Sequence, residues 1–220
     1  MGYWGGPRWG FGAVDDEFGG PVAGSEYCVA ATASDRQTRG VGSLLVITGP
    51  PGAGKSTVAQ AVAAAADHSV LVEGDAFFAF LANGRFDPWL AGSNEQNTIV
   101  TEAAAAAAGR FARSCYATVY DGVIGPWLLE TFATATGLES LEYVILLPSV
   151  ERCVKQVAER TGHGFTDEAA TRKMHKEFAD ARIARRHVLN DPWDSVDSVV
   201  DRVSTALGRG DLTYRVRRTD

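Results

Sequence analysis

Leu44-Leu45-Val46-Ile47-Thr48-Gly49-Pro50-Pro51-Gly52-Ala53-Gly54-Lys55-Ser56-Thr57 is the stretch from which the rest of the chain takes its meaning. Leu44 to Thr48 is a short apolar run with β-branched residues, the pattern of a buried strand. Gly49 to Ser56 fits the spacing G-x-x-x-x-G-K-S/T. Val58 to Ala66 follows as a strong helix former. A glycine loop between a buried strand and a helix is a phosphate cradle, the P-loop. Gly49, Gly52 and Gly54 admit φ values closed to other residues. The loop amides can then curl around phosphate oxygens, and the helix start adds donors and partial positive charge. Lys55 is expected at the β- and γ-phosphates, and the Ser56 hydroxyl at Mg²⁺. The nucleotide-binding set is therefore Gly49, Pro50, Pro51, Gly52, Ala53, Gly54, Lys55, Ser56 and Thr57, and the expected ligand is a nucleoside triphosphate.

The chain has 220 residues and a formal net charge of -6. That length holds one domain with a sizeable core. The negative charge argues against a nucleic-acid binder, which carries a basic footprint. No apolar run approaches a membrane span, and the start lacks the pattern of a signal peptide. The expectation is a cytoplasmic protein with no nucleic-acid or membrane partner. Cys28, Cys115 and Cys153 form no C-x-x-C pair, so neither a zinc site nor a disulfide framework is read.

Outward from the loop, residues 1–41 are rich in glycine and aromatics with no period (Trp4, Trp9, Phe11). They are expected to be a flexible extension. Residues 42–210 alternate strand and helix. Ser69–Glu73 is a second strand, ending at Gly74-Asp75. Phe77, Phe78, Phe80 and Leu81 fall at helical spacing. Ser93 with Gln96 signals a capping box that opens a long helix through the run Ala103 to Ala108. Tyr116 to Tyr120 is a third strand, ending at Asp121-Gly122, and Pro126 opens another helix. Tyr143 to Leu147 is a fourth strand. Val150, Cys153, Val154, Val157 and Ala158 then mark the stripe of a surface helix. A helix from Asp167, a short fifth strand at His187–Asn190 and a last helix from Val196 follow. Residues 211–220 read as a tail, frayed from Tyr214 on. Alternating strands and helices imply a three-layer α/β fold with a five-stranded parallel sheet. Ligands of such a sheet collect at the carboxyl ends of its strands.

That rule sorts the acids. Asp121 ends the third strand like a degenerate Walker B acid and is expected to hold Mg²⁺ with Ser56; the plainer alternative is an acid that caps the next turn. Asp75 ends the second strand. It is placed to accept a proton from an acceptor hydroxyl as that oxygen attacks the γ-phosphate. It also precedes a helical pattern and would serve as an N-cap. Glu73 is the weaker candidate, because alternation turns it away from Gly74.

Gly49 to Thr57, Glu73-Gly74-Asp75 and Asp121-Gly122 together resemble the small-molecule kinases of the P-loop nucleoside-monophosphate-kinase type. Gluconate kinases and adenylylsulfate kinases have a similar Gly-Asp after strand two. In the chloramphenicol phosphotransferase group the Asp there is proposed as a base. The resemblance covers about Leu44 to Leu207. It implies strand order 2-3-1-4-5, ATP with Mg²⁺, and a mobile helical lid after the helix of strand four. The lid falls on Arg160 to Phe165. It would bring Arg160 over the transferring phosphate, with Arg152 and Arg172 behind it. A cation at a helix C-terminus is the other reading of Arg160. Two departures matter. Ala76-Phe77-Phe78 stands where gluconate kinases carry Leu-His, which disfavours gluconate. The Asp-Gly-x-Pro-Arg run of nucleotide kinases is absent, which counts against a nucleoside monophosphate.

The acceptor side is expected between strand two and the long helix, where Phe77, Phe78, Phe80, Phe86 and Trp89 cluster, with Trp127 past strand three. Such residues form either an apolar pocket wall or a local core under the long helix. Arg85, Arg110 and Arg113 would suit an anionic acceptor, but surface charge is the plainer reading of them. The sequence thus leads to an ATP-dependent kinase, in which Lys55, Asp75 and Arg160 do the catalytic work. Its acceptor would be a hydroxyl of a small metabolite or an antibiotic, and the enzyme a monomer or homodimer. Its rivals are a P-loop ATPase or switch without an acceptor, and a polynucleotide 5′-hydroxyl kinase.

Overall fold

The computed structural model describes residues 43–90, 92–159, 166–190, 193 and 195–217. The extension 1–41, the lid segment 160–165 with Arg160, and Cys28 lie outside the described residues.

Ten consecutive residues, 44–53, carry the fold's first commitment. Strand β1 (Leu44–Thr48) is buried along its whole length and gives way to the glycine loop and helix α1 (Lys55–Ala64). Strand β2 (Ser69–Glu73) runs directly into the short helix α2 (Gly74–Ala79). Helix α3 (Asn94–Ala112), strand β3 (Ala117–Asp121) and helix α4 (Pro126–Thr136) follow. Strand β4 (Ser140–Leu147) and helices α5 (Val150–Glu159) and α6 (Glu168–Asp180) come next. A single 3-10 turn, Arg185–His187, leads to strand β5 (Val188–Asn190), helix α7 (Val196–Arg209) and strand β6 (Thr213–Arg215). The five parallel strands lie in the order β2-β3-β1-β4-β5, as the resemblance to the P-loop small-molecule kinases implies.

Alternation along the strands divides the core into two layers. Leu44, Val46, Tyr120, Tyr143 and Ile145 face α3 and α4, where Ala104, Ala105, Ala108 and Phe132 meet them. Leu45, Ile47, Val119, Val144 and Leu146 face Val58 and Ala59 of α1, Cys153 of α5, and Val199 and Val203 of α7. The alanine run of α3 lets its backbone come close to α4. A Cβ on Gly109 would stand 2.0 Å from the carbonyl oxygen of Thr136.

Two expectations are corrected. Thr213–Arg215 is not frayed; it pairs antiparallel with Glu142–Ser140, and the Tyr214 hydroxyl donates to Glu130 at 2.6 Å. Three residues are too short for a period-2 pattern to stand out, and the partner strand supplies the order. The Ser93/Gln96 capping box is the second. Ser93 is the N-cap of α3, but its side chain accepts no capping hydrogen bond. Its hydroxyl instead donates to the carbonyls of Pro88 and Leu90, both at 2.8 Å. Gln96 likewise reaches back to the preceding loop.

Candidate functional site

The carboxyl ends of the parallel strands bring the P-loop, Asp75 and Asp121 to one edge of the sheet. At the P-loop, Gly49, Gly52 and Gly54 all have positive φ, at 148°, 76° and 82°. Two of them are also needed for space. A Cβ on Gly49 would lie 2.2 Å from the carbonyl oxygen of Leu146, and one on Gly52 would lie 2.2 Å from that of Cys153. The loop is thus pressed against the end of β4 and the first turn of α5. Gly54, the N-cap of α1, has nothing within 4 Å of its missing Cβ. Lys55 folds back over the loop, its Nζ donating to the Pro50 carbonyl at 3.1 Å. Ser56 and Thr57, the next residues of α1, are exposed.

Asp121 ends β3 and is almost buried. It pairs in register with Ile47 of β1 and with Glu73 of β2. In-register neighbours of a parallel sheet share a face, so Asp121 and Glu73 lie side by side on the α1 face. The low weight that the sequence gives Glu73 takes no account of this. The turn after Asp121 is held from both sides. The Ile124 amide donates to Thr48 Oγ1 at 2.8 Å, and the Tyr143 hydroxyl donates to the Ile124 carbonyl at 2.6 Å. The acid therefore sits on a fixed support.

Asp75 lies in the first turn of α2, exposed, with no hydrogen bond or ion pair to any described residue. The N-cap of α2 is Glu73, two residues earlier than the capping alternative for Asp75 requires. The Asp75 carboxylate is therefore free of a capping role. Tyr120 precedes Asp121 on β3, turns to the opposite face of the sheet and is near enough to both acids to feel their charge. Its phenol is pushed above its ordinary pKa first by burial and then by the charges of Asp75 and Asp121.

The aromatic segment divides: Phe77 packs against the core under α3 and α4, while other rings stand out from it. Phe80 is 74% exposed and Phe86 60%, while Phe77, Phe78 and Trp89 are half-buried. The loop that carries Phe86 is nevertheless fixed. Gln96 bonds both the amide and the carbonyl of Phe86, at 2.8 and 2.9 Å, and Asn97 donates to the Pro88 carbonyl at 2.7 Å. Arg85, Arg110 and Arg113 are on the surface, and Arg113 caps α4 through the Thr136 carbonyl at 2.6 Å.

Of the arginines set behind Arg160, Arg172 pairs with Glu168 at 2.9 Å and faces Glu151 at 3.9 Å. Arg152 instead lies over the Trp193 ring, 5.4 Å from its centroid, and donates to the Trp193 carbonyl at 3.1 Å. Arg152 and Trp193 line a cavity of about 250 Å³ with Ala53, Gly54, Thr57, Gln156 and Val199. Sequence reasoning missed Trp193. Its signal was position: it follows β5 by three residues, at the same sheet edge as the loop.

Oxygen donors from Ser56 and Asp121 suit Mg²⁺ chemically. Among the described residues no group of three or more His, Cys, Asp and Glu side chains could hold a metal ion. A cation here would take its remaining ligands from phosphate and water. No helix of the described residues is long and apolar enough to cross a membrane.

Solved structures with this fold include a gluconokinase from Sinorhizobium meliloti, with 22% identity and a TM-score of 0.56 over 79% of this chain and 95% of that one. A tunicamycin resistance protein from Deinococcus radiodurans has 13% identity and a TM-score of 0.57 over 76% and 95%. A sugar kinase from a Janibacter species has 19% identity and a TM-score of 0.54 over 75% and 94%. At these identities the likeness is one of fold. No curated protein sequence matches the chain. The family model AAA_33, described as an AAA domain, matches residues 44–182, from β1 past the end of α6. The chain belongs to this family of P-loop, nucleotide-binding domains.

Proposed function

We propose that the chain is an ATP-dependent phosphotransferase that moves the γ-phosphate to a hydroxyl of a small molecule. The observation that carries this reading is Asp75, an exposed carboxylate at the P-loop edge of the sheet with no structural partner. A nucleotide switch has no use for it, whereas an acceptor hydroxyl needs a proton acceptor of this kind.

The division of labour follows from the positions. The loop amides and Lys55 bind the phosphates. Ser56 and Asp121 would hold Mg²⁺, which when bound neutralises charge on the β- and γ-phosphate oxygens. Arg152 and Trp193 offer flat surfaces to the nucleoside end of the nucleotide, next to Ala53 and Gly54. Asp75 orients the acceptor hydroxyl and takes its proton. Arg160 is the arginine proposed to close over the transfer. Phe80 and Phe86, exposed on a segment that follows Asp75, favour an acceptor with an apolar part over a purely polar sugar acid. The gluconokinase and sugar kinase of like fold are consistent with a hydroxyl acceptor.

The test is ATP turnover with γ-labelled nucleotide, with and without a panel of hydroxyl compounds spanning sugars, nucleosides and hydroxylated antibiotics. Label appearing in one acceptor, and lost in Lys55→Ala, is the expected result. Label passing only to water across the whole panel would overturn the reading in favour of an ATPase.

A further inference from the structure

Tyr120 is buried to 3% exposure, and no described residue hydrogen-bonds its hydroxyl. The hydroxyl oxygen is not among the buried side-chain atoms left without a partner, so it is open to solvent although the ring is buried. Tyr143, on the same face of the sheet and likewise in register with Val46, instead spends its hydroxyl on the Ile124 carbonyl. The two strand-end glycines are arranged around Tyr120. A Cβ on Gly74 would stand 2.3 Å from the Tyr120 hydroxyl oxygen, and one on Gly122 would stand 2.8 Å from it. Gly74 precedes Asp75 and Gly122 follows Asp121. The ring is held edge-on by Phe132, with centroids 4.7 Å apart, so its direction is fixed by packing. The glycines of Gly74-Asp75 and Asp121-Gly122 therefore do more than end strands: they leave the room in which one phenol reaches the sheet edge near two acids.

We propose that the Tyr120 hydroxyl orients the acceptor oxygen, donating a hydrogen bond to one of its lone pairs beside Asp75. The inference rests on the phosphotransfer reading above. The acceptor oxygen forms a bond to the γ-phosphorus as the bond from phosphorus to the β–γ bridging oxygen breaks. That electron pair leaves with ADP, and the acceptor proton passes to Asp75. The second lone pair of the acceptor oxygen is then free to accept from Tyr120. A phenol carries its proton as an ordinary O–H donor and needs no special state for this role.

The test uses the full chain with Mg²⁺ and ATP, and water as the acceptor oxygen, so the natural acceptor need not be known. Tyr120→Phe keeps the ring and its packing on Phe132 and removes only the hydroxyl. Hydrolysis is expected to fall about tenfold or more, the worth of one hydrogen bond made in the transition state. Affinity for a fluorescent ATP analogue stays the same, and the melting temperature moves by no more than about 2 °C. Unchanged hydrolysis overturns the role of Tyr120 and leaves phosphotransfer standing. Slower hydrolysis accompanied by weaker ATP binding or a lower melting temperature makes the residue structural and also overturns it. Wild-type hydrolysis in a parallel Lys55→Ala sample would instead bring down the phosphotransfer reading, and this inference with it.

Discussion

The two halves of the site are held in place by different means. On the phosphate side the backbone itself is the device. Gly49 and Gly52 are wedged against the Leu146 and Cys153 carbonyls, and the loop has no room for a side chain there. On the acceptor side the backbone between α2 and α3 is tied by side chains: Ser93, Gln96 and Asn97 reach back from the start of α3 to Phe86, Pro88 and Leu90. The first arrangement tolerates no change of residue at fixed positions. The second tolerates much, provided some polar side chain supplies the ties. A phosphate has one shape and acceptors have many, so under the proposed function a rigid cradle beside a retunable platform matches an invariant first ligand and a variable second.

This contrast predicts that substitutions on the phosphate side act on the fold itself. Gly52→Ala combines a positive φ of 76° with a Cβ 2.2 Å from a backbone oxygen. Neither the αL strain nor the clash can be relieved by a rotamer change. The variant is expected to lose roughly 4 kcal/mol of stability, measured by urea unfolding. A loss below about 1 kcal/mol would mean that the loop is not held in place by its contact with α5.

Asp75→Asn comes next, and its effect is on chemistry alone. The side chain is exposed and partnerless, so removing its charge leaves the fold untouched. Transfer of the γ-phosphate is expected to fall by about 10²-fold or more, with affinity for a fluorescent ATP analogue unchanged. A variant that loses ATP affinity while retaining turnover would move Asp75 from the acceptor half of the site to the phosphate half.

The sequence was legible where chemistry and geometry coincide in consecutive residues. The loop, its strand and its helix are local, and the two acids follow from the rule that ligands gather at strand carboxyl ends. What could not be read was set by tertiary placement. Strand β6 exists because β4 begins three residues earlier than its apolar run, at Ser140, and offers an edge to Thr213–Arg215. Ser93 and Gln96 have the spacing of a capping box, yet the loop before them competes for the same polar atoms and wins. Glu73 was judged by its relation to Gly74 on its own strand, whereas the informative relation is its register with Asp121 across the sheet. Trp193 had no motif to announce it, only a place at the end of β5.

On the acceptor side the expected effects are smaller. Gln96→Ala removes both hydrogen bonds to the Phe86 backbone. The pair is solvent-exposed, so about 1 kcal/mol is expected in thermal unfolding. The more telling readout is hydrogen exchange: the Phe86 amide should lose protection while the amides of β1 and α1 keep theirs. Equal protection before and after the change would mean that the loop is ordered by something other than α3.

Phe86→Ala is the smallest effect on stability and decides between the two readings of the aromatic segment. With 60% of the residue exposed, truncation removes little area from contact with the protein. The expected change in unfolding free energy is within about 0.5 kcal/mol. A core phenylalanine would lose about 3–5 kcal/mol on the same change. A near-zero result therefore removes structural packing as the reason for an aromatic residue here. The two backbone bonds from Gln96 then hold in place a ring that does almost nothing for the fold. A ring held out to solvent in this way, on the segment that follows Asp75, has its use in contact with a ligand. Loss of acceptor affinity without loss of stability in Phe86→Ala would place the platform in the acceptor site. Loss of stability instead would return the segment to the core.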